Sequence, residues 1–169
     1  MINKILIPAC FVMMTLFSGC VTKPQIPADL QYSPPPAGVS VATIRGSGKR
    51  STLLDDFTAY IVTIDGKLVM AGRKGWDTPI PITAGRHLLN VKFARGVFYA
   101  REEFVLNAVA GANYQLRYVT DVQLGGDNSY VDFWIVDMAT SKAVSPLKQV
   151  SVEGDDEGPG YVPIFIPTK

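Results

Sequence analysis

The stretch RHLLNVKFA, residues 86–94, decides the fold. Its apolar side chains Leu89, Val91 and Phe93 alternate with polar ones. Successive side chains of a β-strand point to opposite faces of the sheet, so this alternation predicts a strand with one face in a core and the other in water.

The same pattern recurs on both sides of this stretch. FTAYIVTID (57–65) ends in Asp65-Gly66, a strong tight-turn signal, and LVMAG (68–72) returns from it, which predicts a hairpin. Further alternating runs are VSVATI (39–44), YAREEFVLNAVAG (99–111), NYQLRYVTDV (113–122) and SYVDFWIVD (129–137). Clusters of glycine and asparagine separate the runs at intervals of roughly ten residues, and such clusters are typical of turns.

These runs predict an all-β fold, a single antiparallel β-sandwich of about seven or eight strands over residues 39–150. Residues 20–38 contain five prolines and predict a disordered tether that spans on the order of 50 Å at about 3.1 Å per residue. Residues 151–169 combine an acidic, glycine-rich loop with an apolar extension that is interrupted by prolines, so we expect an edge strand or a draped segment there.

The first 19 residues form an export signal. Lys4 precedes an apolar run over residues 5–17, and small residues follow it. Thirteen helical residues at about 1.5 Å each reach roughly 20 Å, less than the roughly 30 Å of a hydrocarbon core. A membrane-spanning helix is therefore not expected here.

The end of the signal, Leu16-Phe17-Ser18-Gly19-Cys20, resembles the lipobox of bacterial lipoproteins. The resemblance implies cleavage between Gly19 and Cys20 and acylation of Cys20 by diacylglycerol and a fatty acid such as palmitate, which anchors the chain in a membrane. Val21, in a place where aspartate would imply retention at the inner membrane, implies an outer-membrane lipoprotein that faces the periplasm. The alternative is an ordinary secretory signal with an incidental cysteine.

Composition excludes several kinds of site. Cys10 lies in the removed segment and Cys20 carries the lipid, so no thiol is left for a disulfide or a thiolate metal site. Of the 16 basic residues Lys4 is removed, which leaves 15 beside 15 acidic residues. A chain with this balance has no general attraction to nucleic acid, and no nucleic-acid partner is expected.

GSGKRST, residues 46–52, has the look of a phosphate-binding loop. That loop requires glycine, four residues, and then Gly-Lys-Ser/Thr before a helix. The first glycine position holds Thr43 and the hydroxyl position holds Arg50, and the stretch leads into another predicted strand. We therefore expect no nucleotide here, but a flexible connection whose Lys49 and Arg50 contact an anionic partner.

Trp76 is the second candidate contact, because it lies in the predicted loop RKGWDTP beside Arg73 and Lys74. A tryptophan with two cations can stack on a sugar or hold an anionic group, and the alternative is that it caps the sandwich. The sequence thus predicts a contact set of Trp76, Arg73, Lys74, Lys49 and Arg50.

The sequence offers little for catalysis or a metal. His87 is the only histidine, at a strand start where turn packing or exposure is common, and a multi-histidine metal site is excluded by that count. The pairs Asp55-Asp56 and Glu102-Glu103 point to opposite faces within each pair, so an acid/base site would need residues from both. The acidic run 155–157 lacks the spacing of a calcium loop. No cofactor, metal or catalytic residue is expected.

Four stretches together resemble small lipoproteins of Gram-negative bacteria and PEGA-like, immunoglobulin-like sandwich modules. They are IDGK (64–67), ITAGRHLLNV (82–91), AVAGANYQLRY (108–118) and WIVDMATSKAV (134–144). The resemblance implies a fold and a location in the cell envelope and brings no activity with it.

The expected function is that of a non-enzymatic binding or structural module, held in the membrane through Cys20 and presented to an envelope protein of unknown identity. Two alternatives are an envelope hydrolase that uses loop carboxylates and an accessory lipoprotein of a secretion machine, the latter an analogy from fold alone.

Overall fold

Eleven β-strands and two short 3-10 helical turns make up the described part of the chain. The computed structural model describes residues 25–49, 56–122 and 129–154. The helical turns are Ala28–Leu30 and Arg73–Gly75. The strands are β1 (Val41–Arg45), β2 (Ser47–Lys49), β3 (Phe57–Ile64), β4 (Lys67–Leu68), β5 (Ile80–Thr83), β6 (Gly85–Arg95), β7 (Phe98–Ala108), β8 (Asn113–Thr120), β9 (Tyr130–Asp137), β10 (Lys148–Ser151) and β11 (Glu153–Gly154).

The strands form two sheets that share one core. The strand order is β10-β9-β8-β1-β5 in the five-stranded sheet and β11-β7-β6-β3-β2 in the six-stranded sheet, where β4 also pairs with β3. Strand pairs are antiparallel except that β1 and β8 run parallel. The predicted all-β sandwich is confirmed. The strand number exceeds the predicted seven or eight because short strands such as β2 and β11 form within the predicted loop and the predicted extension.

The core is built from the alternation that the sequence shows. Leu89, Val91 and Phe93 of β6 are at most 1% exposed, and Phe133 of β9 in the other sheet is fully buried with them. Each such side chain contributes about 1.5–3 kcal/mol when it leaves water. The opposite, outer face of β6 carries the polar residues, including Lys92.

The chain changes sheets at a single residue, Gly46. It leaves β1 of the five-stranded sheet and enters β2 of the six-stranded sheet immediately afterwards. Gly46 is buried, its amide donates to the carbonyl of Trp76 at 2.7 Å, and its own carbonyl accepts from Gln115 Nε2 at 3.1 Å. Residues 47–49 are therefore a strand rather than the flexible connection that the sequence predicted.

The predicted hairpin at Asp65-Gly66 is present. Asp65 and Gly66 both have positive φ, 52° and 78°, as a two-residue turn of this kind requires, and the flanking residues Thr63 and Leu68 pair. The returning strand β4 is only two residues long.

Part of the predicted tether lies on the sandwich. Gln31 forms a parallel bridge with Leu68, and the Tyr32 hydroxyl donates to the Pro81 carbonyl at 2.7 Å. The Tyr32 ring also packs against the core. The predicted tether is therefore not disordered over its whole length, because residues 31 and 32 contact the sandwich.

Candidate functional site

The glycines of GSGK serve close packing. A Cβ on Gly46 would lie 2.1 Å from the Ala59 carbonyl oxygen and 2.9 Å from the Trp76 carbonyl oxygen. A Cβ on Gly48 would lie 2.7 Å from the Trp76 ring. Both glycines allow close approach of a neighbouring segment. This packing accounts for the glycines of the motif without a bound phosphate.

Trp76 and Arg73 cover the outer face of the six-stranded sheet. The half-buried Trp76 ring lies on Gly48 of β2. Arg73 Nε donates to Thr58 Oγ1 at 3.1 Å, and its Nη2 donates to the Asp56 carbonyl at 2.9 Å. The Arg73–Gly75 turn therefore holds an aromatic ring and a guanidinium side by side on neighbouring strands.

Lys49 lies on the other side of β2 from Trp76. Its register partner is Phe57, whose side chain packs against the core, whereas Gly48 opposes Thr58 on the outer face. Lys49 therefore lies on the face of β2 opposite Trp76, where it lines a groove between the two sheets. Lys74 is exposed beside Arg73. The structure thus divides the predicted contact set between two surfaces, and Arg50 lies outside the described residues.

The outer face that carries Trp76 also carries aromatic and cationic residues from three strands. Tyr60 of β3, Lys92 of β6 and Arg101 of β7 are direct register partners in one row across the sheet. Tyr99 occupies the next row, with Lys92 Nζ 4.5 Å and Arg101 Cζ 5.1 Å from its ring centroid. We name this surface the aromatic–cationic band, and its members are Tyr60, Arg73, Trp76, Lys92, Tyr99 and Arg101.

Sequence reasoning missed four members of the band: Tyr60, Lys92, Tyr99 and Arg101. Each of these residues occupies a solvent-facing position in an alternating run, and this position is the feature of the sequence that could have identified it. This feature is weak evidence for a binding residue, because a solvent-facing position in a strand indicates only that the side chain is exposed. The row exists only through the register of β3, β6 and β7, which places residues 60, 92 and 101 together.

A groove of about 510 Å³ is lined by residues of both sheets. Lys49, Phe57 and Tyr118 line it, and the Tyr118 hydroxyl donates to the Phe57 carbonyl at 3.2 Å. Burial raises the pKa of Tyr118 to about 12, although a hydrogen bond from the Lys49 main chain acts in the opposite direction. The phenol is therefore neutral at physiological pH and joins β8 to β2 and β3. Residues 50–55 and 123–128, which adjoin this groove in sequence, lie outside the described residues.

His87 lies in a closed polar cluster. The residue is 7% exposed, and its Nδ1 is 2.7 Å from Asp65 Oδ2. Its Nε2 is 2.9 Å from the Thr83 carbonyl oxygen and 3.2 Å from Thr83 Oγ1. Both ring nitrogens thus meet protein oxygens, and the turn-packing interpretation of His87 agrees with this geometry.

Asp65 holds this cluster on the hairpin turn. Its second carboxylate oxygen accepts from the Leu88 amide at 2.8 Å. Burial acts to raise the pKa of Asp65, but the hydrogen bonds from Leu88 and His87 outweigh it and hold the pKa below its ordinary value. The turn aspartate therefore joins the β3 hairpin to the start of β6. The Asp-Gly motif predicted the turn but not this histidine contact.

Of the carboxylates that a hydrolase would need, Asp56 and Glu102 lie in the described residues and are not brought together. Asp56 precedes β3, whereas Glu102 lies two strands away in the middle of β7, roughly 15–20 Å from it by the strand register. Glu102 Oε1 accepts from Lys148 Nζ at 2.9 Å, across the edge where β7 meets β10. Burial acts to raise the pKa of Glu102, but its hydrogen bonds with the Glu103 amide and with Lys148 hold it below the ordinary value.

Gly19, Cys20, Asp55 and the acidic run 155–157 lie outside the described residues. Within residues 25–49, 56–122 and 129–154, no three side chains of histidine, cysteine, aspartate or glutamate are close enough to hold a metal ion together. The same part of the chain contains no helix with the length and apolar character of a membrane span.

Comparison with models of known protein families, with curated proteins and with solved structures finds no match for this chain. The likeness to small Gram-negative lipoproteins and PEGA-like modules therefore stays a prediction from the quoted motifs.

Proposed function

We propose that the protein is a membrane-anchored lipoprotein of the cell envelope that acts as a non-enzymatic binding module. The observation that carries this proposal is the aromatic–cationic band on the outer face of the six-stranded sheet. Aromatic rings and guanidinium groups that are held on a rigid sheet are the side chains most often responsible for binding energy at interfaces.

The sequence supplies the location in this proposal. The lipobox-like Leu16–Cys20 motif attaches the chain to the outer membrane through Cys20, and the residues between Cys20 and Tyr32 set the distance of the sandwich from the lipid. The mature chain has equal numbers of acidic and basic residues, so attraction to a ligand comes from a local patch rather than from net charge.

Two features of the geometry favour binding over catalysis. The nitrogens of His87 both meet oxygens of Asp65 and Thr83, so neither is directed at a substrate. Asp56 and Glu102 lie roughly 15–20 Å apart, farther than the roughly 5–10 Å that separates the two carboxyl groups of glycosidases. The hydrolase and secretion-accessory alternatives gain no specific observation.

One experiment tests both parts of the proposal. Cells that express the wild-type chain, Cys20→Ser or Lys92→Gln/Arg101→Gln are labelled with radioactive palmitate and separated into membrane fractions. We expect Cys20→Ser to lose the label and to leave the outer membrane. We expect the double variant to keep both, but to be crosslinked less to envelope components than wild type.

The matched control is Arg86→Gln, which removes an exposed cation from the same face of β6 six residues away from Lys92. Palmitate label that persists in Cys20→Ser would refute the anchoring. Crosslinking that is equal in wild type and in the double variant would refute the band as the binding surface.

A further inference from the structure

We infer that His87, Asp65 and Thr83 form a pH-sensitive latch, in which a doubly protonated His87 ring joins the two sheets and so keeps Tyr32 docked on the sandwich. We name these three residues the histidine latch. The inference goes beyond the proposed function, because the latch shares no residue with the aromatic–cationic band. Three observations carry it: the partners of the ring nitrogens, the place of the ring between the sheets, and the contacts of Tyr32.

Both ring nitrogens of His87 face oxygens that only accept hydrogen bonds. Nδ1 is 2.7 Å from Oδ2 of Asp65, and Nε2 is 2.9 Å from the main-chain oxygen of Thr83. An ionised carboxylate and a carbonyl have no proton to donate, so each nitrogen must carry one. A neutral ring has a single N–H and would leave one of these buried contacts without a proton. The geometry is therefore that of the imidazolium.

The Thr83 hydroxyl offers an alternative partner for a neutral ring. Its Oγ1 is 3.2 Å from Nε2 and could donate to an unprotonated nitrogen. The carbonyl oxygen of the same residue would then face that nitrogen at 2.9 Å, with two lone pairs opposed. Since the carbonyl contact is the shorter of the two, the distances favour an Nε2 that carries a proton and donates it to the carbonyl.

Asp65 supplies the negative charge opposite the ring. On the neighbouring strand β7, the register partner of His87 is the apolar Leu106. Arg86 precedes His87 in β6 and is exposed on the other face of the strand. Burial, and then the nearby charge of Asp65, raise the pKa of Tyr32, so this phenol is neutral at physiological pH. Among the residues that the structure describes, the charged group in contact with His87 is thus the Asp65 carboxylate.

The histidine latch connects one sheet to the other. Asp65 follows β3 of the six-stranded sheet, whereas Thr83 ends β5 of the five-stranded sheet. The protonated ring of His87 donates one hydrogen bond to each side. Loss of one proton therefore breaks one of the two bonds and weakens the connection between the sheets.

Tyr32 connects the same two elements beside the latch. Its amide donates to the Leu68 carbonyl of β4 at 2.8 Å, and its hydroxyl donates to the Pro81 carbonyl of β5 at 2.7 Å. β4 is the returning strand of the hairpin that carries Asp65, and Pro81 lies two residues before Thr83 in β5. Tyr32 can make both bonds only while the hairpin and β5 keep their spacing, which the latch holds.

The latch is strongest at mildly acidic pH. An imidazole in an unfolded chain loses its proton near about pH 6.5. Because the folded chain holds that proton in two hydrogen bonds, the stabilisation is complete below this pH and is lost as the pH rises above it. On the acid side, burial acts to raise the pKa of Asp65, but its hydrogen bonds with Leu88 and His87 lower it, so the carboxylate fails only below about pH 4. The Asp65 side chain is 49% exposed, so solvent protons reach the cluster.

Opening of the latch changes where the chain is first fixed to the sandwich. Tyr32 lies between the expected lipid attachment at Cys20 and the first strand, β1. If Tyr32 leaves the sandwich, this fixed point moves toward β1 and the sandwich gains distance from the membrane. This consequence rests on the proposed anchoring, whereas the latch itself does not.

Nitrogen NMR of the imidazole ring measures the charge state. His87 is the only histidine of the chain, so the ring signals belong to it without further assignment. The sample is the chain from residue 20 onward with Cys20→Ser, which requires no detergent. At pH 7, where an unfolded imidazole is mostly neutral, we expect both ring nitrogens to carry a proton. Thr83→Val removes the hydroxyl but keeps the carbonyl, so we expect the same two protons in that variant.

Amide hydrogen exchange of the same sample measures the docking of Tyr32. We expect the protection factor of its amide to fall at least about tenfold between pH 6 and pH 9, because a hydrogen bond to a charged group contributes about that factor. His87→Gln should show the low value already at pH 6, with no further fall. The control is the Val144 amide, which donates to the Ile135 carbonyl at the same 2.8 Å and involves no latch residue. Its protection factor should not change with pH or in the variant, which also verifies that the variant is folded.

Three results would overturn the inference. The first is a single ring proton on His87 at pH 7, and the second is a neutral ring in Thr83→Val, which would identify the hydroxyl as the partner of Nε2. The third is a Tyr32 protection factor that stays constant while the ring loses its proton, which would separate the docking of Tyr32 from the charge of His87. If His87→Gln does not fold, the pH series of the wild type and the Thr83→Val variant still decide among these results.

Discussion

Replacing Gly46 with alanine tests the packing at the point where the chain crosses between the sheets. The new Cβ would lie 2.1 Å from the Ala59 carbonyl oxygen, more than 1 Å inside ordinary contact, and 2.9 Å from the Trp76 carbonyl oxygen. Both atoms belong to main chain, which cannot rotate away as a side chain can. The strand crossing itself must therefore shift.

The expected cost follows from what the shift breaks. Gly46 donates to Trp76 at 2.7 Å and accepts from Gln115 at 3.1 Å, and both bonds lie in the interior. Overpacking typically costs about 1–3 kcal/mol, and each buried hydrogen bond that is lost adds about 1 kcal/mol. We expect Gly46→Ala to lower the free energy of unfolding by about 3–5 kcal/mol, a large part of the roughly 5–15 kcal/mol of an ordinary domain.

Urea unfolding followed by tryptophan fluorescence measures this cost. Gly48→Ala should lose only about 1–2 kcal/mol, because its new Cβ meets the Trp76 ring at 2.7 Å and a side chain can move, and the native fluorescence should change as that ring is displaced. Gly154→Ala is the control, since nothing lies within 4 Å of its Cβ position, and it should stay within about 0.5 kcal/mol of wild type. If Gly46→Ala were as stable as Gly154→Ala, the account of the strand crossing would be wrong.

Three further substitutions test the polar contacts. Tyr118→Phe should cost about 1 kcal/mol and remove the phenol that ionises near pH 12, seen as tyrosinate absorbance. Because folding raises that pKa, wild-type stability should fall as pH rises from about 10 to 12, and a variant with the same decline would contradict the assignment. Lys148→Met should raise the pKa of Glu102 toward its ordinary value in a carboxyl NMR titration, while Lys142→Met, an exposed control, should not. Asp65→Asn tolerates the positive φ but removes the charge, so it should cost about 0.5–1 kcal/mol at neutral pH. Since folding lowers the pKa of Asp65, this difference should disappear as pH falls below about 4, and a difference that persisted there would exclude the charge as its source.

The local sequence pattern was sufficient to predict the strands and the turn that build the core. The alternation in RHLLNVKFA predicted the buried side of β6, and Asp65-Gly66 predicted its turn, because period-two burial and positive φ are properties of a few adjacent residues. The strand β2 was missed for the opposite reason. Ser47, Gly48 and Lys49 have no strand preference. They form a strand because they pair with β3 and because Ala59 and Trp76 pack closely against Gly46 and Gly48.

The sequence alone was sufficient for the class of fold; it also predicts export and acylation at Cys20, and it singled out Trp76 and Arg73 as contact residues. Only the tertiary structure separated Lys49 from Trp76 onto opposite faces of β2, and only it joined Trp76 to Lys92 and Arg101 in one surface. The physical reason is that strand register is set by long-range pairing. A sequence fixes which side of its own strand a residue takes, but the neighbours across the sheet are chosen when the strands pair.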